Sequence, residues 1–150
     1  MKKVTILDLK KMKDDGKKIS MLTAYDFRTA MMLDDCGVDI LLVGDSVGNV
    51  FMGLDNTLPV TLEQMVYHTK AVVNGRKRVL VVADMPFMTY QVSIDEARRN
   101  AGILIKEGGA EAVKVEGGAN IEATIRAISD IDIPASTITG FPAQRDSMID

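Results

Sequence analysis

An α/β fold built on a parallel sheet follows from three features of this 150-residue chain. Strand-like and helix-like patterns alternate with short connections, the order that successive βα units produce. The strand-like runs, such as Ile40-Leu41-Leu42-Val43 and Val79-Leu80-Val81-Val82, are apolar and rich in β-branched residues. Three of these runs stop on an acidic residue: Asp45, Asp84 and Glu116. In parallel α/β folds the carboxyl ends of the strands form the mouth of the ligand site.

The elements read in order as follows. Thr5 to Asp15 is an amphipathic helix with Gly16 as its stop, and Ile19 to Ala24 is the first strand. Asp26 caps a helix through Phe27, Ala30, Met31 and Leu33, which Gly37 closes. The second strand, Asp39 to Val43, leads into a long loop from about Ser46 to Val60, and long loops in compact domains tend to be functional. Thr61-Leu62-Glu63-Gln64 is a capping box for a helix running to Asn74-Gly75, and the third strand ends at Asp84. Ser93-Ile94-Asp95-Glu96 reads as a second capping box, for a helix ending at Gly108-Gly109. The fourth strand closes on Glu116, Asn120 is expected to cap the next helix, and Ile133 to Ile138 is the fifth strand.

Residues 1–150 therefore form a single α/β domain with five strands. These are either an open doubly wound sheet or the first five units of a (β/α)8 barrel, whose full form needs about 250 residues. No Gly-x-Gly-x-x-Gly follows the first strand, which lowers the dinucleotide-binding reading.

Composition excludes several classes. A net charge of −3 without a long basic run offers nothing to nucleic acid or to a membrane surface. The single cysteine, Cys36, rules out an intrachain disulfide and reads as a buried or inert thiol. The first residues lack the apolar core of a signal peptide, and no apolar run is long enough to span a bilayer, so the expected location is the cytoplasm. His68, the only histidine, sits mid-helix and reads as a packing or surface residue; Tyr25 reads as an aromatic rim residue.

The chemistry concentrates at the strand ends. Asp45, Asp84 and Glu116 should converge over the mouth, where they repel one another unless a positive charge lies among them. A hard divalent cation is the simplest candidate. Lys114 stands two positions before Glu116 and so faces the same side, where its ammonium could hold a substrate oxyanion. A cation held there could chelate a 2-oxo acid and acidify its adjacent carbon.

The words around these residues carry a resemblance. Met21-Leu22-Thr23-Ala24-Tyr25-Asp26, Val43-Gly44-Asp45-Ser46-Val47-Gly48, Thr57-Leu58-Pro59-Val60-Thr61, Tyr67-His68-Thr69-Lys70-Ala71-Val72, Val82-Ala83-Asp84-Met85-Pro86-Phe87 and Val113-Lys114-Val115-Glu116-Gly117-Gly118 stand in order. Together they resemble the ketopantoate hydroxymethyltransferase family, over nearly the whole chain to about Pro134. The resemblance implies a (β/α)8 barrel, here its first part, of the phosphoenolpyruvate/pyruvate superfamily. It implies Mg²⁺ and methylenetetrahydrofolate, a hydroxymethyl transfer to 3-methyl-2-oxobutanoate on the way to pantothenate, and homo-oligomeric assembly. By motif, Asp45, Asp84 and Glu116 would lie around the metal, and Asp45, Ser46, Asp84 and Lys114 would hold the 2-oxo acid.

Two departures accompany it. A histidine of the family falls on Ile138, so either a substrate contact is lost or the sequences are offset there. The family's glutamate base and its last three strands would fall beyond Asp150, so no catalytic base is assigned within the chain. A catalytically inactive binding protein, or another 2-oxo-acid lyase or mutase of the same superfamily, are the competing expectations.

Overall fold

The computed structural model describes residues 2–138. Its centre is a five-stranded sheet made of β1 (Met21–Thr23), β2 (Ile40–Val43), β3 (Leu80–Asp84), β4 (Ala112–Glu116) and β5 (Ala135–Ile138). The strands lie in chain order, and every pairing is parallel. A doubly wound sheet must reverse its strand order at a switch point. This one does not, so its strands follow one another as they do in a barrel wall.

The helices are α1 (Ile6–Asp14), α2 (Phe27–Asp35), α3 (Val47–Val50), α4 (Leu62–Gly75), α5 (Ile94–Ile103) and α6 (Glu122–Ser129). The local chemistry explains most of their boundaries. Asp26 Oδ1 accepts from the Thr29 N–H at 2.9 Å, capping α2. Thr61 and Gln64 exchange both bonds of a capping box at the start of α4. At α5 only half of the expected box forms, with Ser93 Oγ accepting from the Glu96 N–H. A single π-turn, Leu104–Gly108, extends α5 until Gly109 ends it at φ 80°.

Three expectations need correction. Asn120 does not cap α6; it lies within a 3₁₀ turn (Ala119–Ile121), and its Oδ1 accepts from the Gly118 N–H. A short polar side chain that can satisfy a nearby amide favours such a turn over a helix start. The loop after β2 is not wholly irregular, because α3 forms inside it. Of the two readings of Cys36, buried or inert, the first is removed: the thiol is exposed, since it follows α2 on a turn away from the buried face that carries Ala30 and Asp34.

The period of two along each strand divides the core. Leu41, Val43, Val81, Ala83, Val113 and Val115 face the helices and pack with Ala30, Met65, Val72, Ala101, Leu104 and Ile128. Each fully buried aliphatic side chain of this kind contributes about 1.5–3 kcal/mol. Ile40, Leu80, Val82 and Ala112 face the other way and pack with Val4, from the segment leading into α1. That second row continues toward the strand ends as Asp84 beside Lys114, which pair in register across β3 and β4. The inner face is thus apolar at the amino ends of the strands and charged at the carboxyl ends. Among the described residues no helix is long and apolar enough to cross a membrane.

Candidate functional site

The charged end of the inner face is built by the last residues of β3 and β4 and the turn after β2. Asp84 and Lys114 are both buried, and Lys114 Nζ lies 2.7 Å from Asp84 Oδ1. Lys114 Nζ also reaches Glu116 Oε1 at 3.4 Å, as two residues on the same side of a strand should. Asp84 Oδ2 accepts from the Asp45 N–H at 3.2 Å, which joins the end of β2 to the end of β3. The approach is close because Gly44 has no side chain: a Cβ there would stand 2.7 Å from Ser46 Oγ and 3.4 Å from Asp84 Oδ2.

The electrostatics follow from burial. Removal from water pushes the Asp84 carboxyl up to about 6, with the charge of Asp45 adding to the rise and Lys114 opposing it. Burial pulls Lys114 downward, but the carboxylates of Asp84, Glu116 and Asp45 outweigh that and hold its pKa above the ordinary value. The positive charge demanded by three neighbouring carboxylates is therefore present in the chain itself.

Acceptor capacity remains. Glu116 Oε2 is a buried oxygen without a hydrogen bond, whereas Asp84 Oδ1 is already taken by the Lys114 ammonium. Among the described residues no group of three or more His, Cys, Asp or Glu side chains is gathered closely enough to hold a metal alone. Mg²⁺ does not need such a cage, since it is commonly held by one or two carboxylates plus water and substrate oxygens. Asp45 and Asp84, with the unbonded buried Oε2 of Glu116 at the end of the neighbouring strand, fit that mode.

Three further residues shape the site. Tyr25, buried just past β1, places its hydroxyl 2.8 Å from Ser46 Oγ, so it reaches the mouth as well as lining it. His68 Nδ1 lies 2.7 Å from the Tyr25 carbonyl oxygen, which puts a mid-helix residue behind the strand ends. Tyr90 is buried in the loop after β3, and its hydroxyl bridges both backbone groups of Glu116: it donates to the carbonyl at 3.0 Å and accepts from the N–H at 3.1 Å. In the sequence only Tyr25 carries a positional signal, since it directly follows a strand. His68 and Tyr90 belong to a helix and a loop whose approach to the mouth is set by packing.

A family model described as ketopantoate hydroxymethyltransferase matches residues 3–149. The chain belongs to the ketopantoate hydroxymethyltransferase family. Among curated proteins it is 59% identical over 143 residues to a 3-methyl-2-oxobutanoate hydroxymethyltransferase of Geotalea daltonii, covering 95% of this chain and 54% of that protein. Its counterpart in Geobacter sulfurreducens is 58% identical over 140 residues, covering 93% and 52%. The chain thus spans about half the length of the curated members of the family that it matches. Solved structures show the same architecture: a phosphonopyruvate hydrolase in complex with oxalate and Mg²⁺ superimposes with a TM-score of 0.71 at 12% identity, covering 86% of this chain and 50% of that one. A 2,3-dimethylmalate lyase of the PEP mutase/isocitrate lyase superfamily gives 0.64 at 17% identity, covering 87% and 51%. At such identities the likeness concerns the fold, and it places the five strands within a barrel-type neighbourhood.

Proposed function

We propose that this chain carries the 2-oxo-acid site of a metal-dependent hydroxymethyltransferase. The reaction would move a one-carbon unit from methylenetetrahydrofolate to 3-methyl-2-oxobutanoate, giving 2-dehydropantoate for pantothenate synthesis. The single observation that carries the reading is the buried Asp84–Lys114 pair beside Asp45, at the strand ends of a chain of this family. Cytoplasmic location and homo-oligomeric assembly complete the reading.

Each side chain has a part that its position allows. Asp45 and Asp84 would hold Mg²⁺, with Glu116 nearby, directly or through water. That ion, when bound, supplies Lewis acidity toward the keto and carboxylate oxygens of the acid and so toward its C3–H. The Lys114 ammonium, desolvated and held by Asp84 and Glu116, is a preorganised partner for the oxyanion that develops as C3 loses its proton. Ser46 offers a hydroxyl at the same rim, and Tyr90 fixes the end of β4 from which Glu116 projects. No residue of this chain is assigned as the acceptor of the C3 proton.

Calorimetry of 3-methyl-2-oxobutanoate binding in Mg²⁺ tests the site. Asp84→Ala should abolish binding while circular dichroism still shows a folded protein, and unchanged affinity would remove the proposal. A second reading, binding without turnover, is favoured by Ile138, which stands where the family resemblance puts a histidine. Deuterium exchange at C3, followed by NMR in D₂O without folate, separates the two. Metal-dependent exchange supports the enzyme; tight binding with no exchange supports the inactive binder.

A further inference from the structure

The chemistry above makes no use of His68, although the structure ties it to both segments that flank Ser46. Its Nδ1 stands 2.7 Å from the Tyr25 carbonyl oxygen. A carbonyl only accepts, so Nδ1 carries the proton. The same imidazole meets the Phe51 ring edge-on at 5.8 Å between centroids, and Phe51 meets Tyr25 at 5.4 Å. Phe51 ends α3, the short helix that begins immediately after Ser46. The Tyr25 hydroxyl then lies 2.8 Å from Ser46 Oγ, and Ser46 makes no capping bond to α3 with that oxygen. One side chain on α4 therefore braces the turn after β1 through a hydrogen bond and the turn after β2 through ring contact.

We infer that His68 is a positioning residue for the 2-oxo-acid site. By holding the Tyr25 carbonyl and the Phe51 ring, it keeps the Tyr25 hydroxyl against Ser46 Oγ. With the Tyr25 hydroxyl as donor of that bond, Ser46 keeps its own proton for the ligand. This inference rests on the site being the one proposed above, so its test includes a readout that needs no ligand.

In ¹H–¹⁵N spectra of the ligand-free protein, His68→Leu and Tyr25→Phe should move the Ser46 amide resonance in the same direction. His68→Asn keeps an N–H donor where Nδ1 stands but not the ring contact, so it should shift that resonance clearly less than His68→Leu does. With Mg²⁺ present, His68→Leu should weaken 3-methyl-2-oxobutanoate binding about three- to tenfold, the range expected for one lost hydrogen bond. The asparagine variant should restore part of that loss, the part due to the hydrogen bond. Adding His68→Leu to Tyr25→Phe should cost little more than Tyr25→Phe alone, because the two act in series.

An unmoved Ser46 resonance in His68→Leu, an asparagine variant as impaired as the leucine one, or losses that multiply in the double variant would each overturn the inference. Lys114→Met serves as the control for the site. If it binds the 2-oxo acid as wild type does, or if wild type does not bind, the assignment of the ligand fails. The Ser46 resonance then still decides whether His68 positions it.

Discussion

Burial of Asp84 costs the fold stability that only its neighbours offset. Its carboxyl ionises at about 6 in the folded chain, against 3.8 for an ordinary aspartate. The folded state therefore holds a proton over a range where the unfolded state has lost it. By linkage this group's contribution to stability is most favourable below about pH 4 and is lost as pH rises toward 6. The full effect is on the order of 3 kcal/mol. Asp34, held below its ordinary value by backbone N–H groups, has the opposite sign: its contribution is present at neutral pH and lost under acid conditions. The two separate by difference. In metal-free protein, urea unfolding from pH 4 to 7 should show a downward component in wild type that is absent from Asp84→Asn. An identical pH profile for both proteins would mean that Asp84 does not titrate there. At neutral pH Lys114→Met should lose about 3 kcal/mol relative to wild type, more than Asp84→Asn, because Asp84 and Glu116 then lose the ammonium they share. A urea midpoint unchanged by that substitution would show that the pair adds nothing to the fold. Asp45, Asp84, Lys114 and Glu116 were legible in the sequence because strand ends and a period of two fix which side chains meet. The hydroxyls of Tyr25 and Tyr90 were not, since a loop residue's direction depends on contacts far away in the chain.

Two contacts between elements carry α2 and α4 onto the sheet. Gly75, the last residue of α4, packs so closely on α2 that a Cβ would stand 2.3 Å from the Phe27 carbonyl oxygen and 3.0 Å from the Ala30 side chain. No positive φ is involved, so the requirement is one of space. Gly75→Ala should therefore destabilise by about 2–3 kcal/mol despite its better helix propensity, as read from the denaturant midpoint. A neutral or stabilising result would show that the helices can slide apart freely. The buried Asp34 of α2 supplies the second contact. Its carboxylate accepts from the backbone N–H groups of Lys77, Arg78 and Val79, and so sets where β3 begins. Helix boundaries were readable where a side chain caps its own turn, as at Asp26 and Thr61. Asn120 misled because the same side-chain chemistry serves a 3₁₀ turn equally well, and α3 is too short to leave a periodic signature. The close approach at Gly75 is not legible in the sequence, since nothing local distinguishes a glycine that ends a helix from one that admits a neighbour.

At the scale of the molecule, the sheet has two sides that the described residues leave unpaired. β1 bonds only to β2 and β5 only to β4 among these residues. All of β1 is exposed, with Met21 at 42% and Leu22 at 49% of their full surface. An exposed apolar edge of a parallel sheet offers unsatisfied backbone groups and hydrophobic surface to another chain. The inner face is covered by Val4 and Leu9 only where it is apolar, at the amino ends of the strands. Sequence order alone could not decide between an open sheet and a barrel wall; the uninterrupted strand order does, because each crossover adds its strand to the same side. The exposed edge has a consequence for the 16.3 kDa chain. Light scattering coupled to size exclusion should give a mass above that of one chain, rising with concentration. Leu22→Lys should return the mass toward a single chain while leaving the thermal midpoint nearly unchanged, since a lysine on an exposed edge repels pairing without opening the core. A monomeric mass for both proteins at every concentration would show that the edge is not a site of association. Equal self-association of both would assign it to another surface, among which the exposed side chains of Met32 and Leu7 on the helices are the next to test.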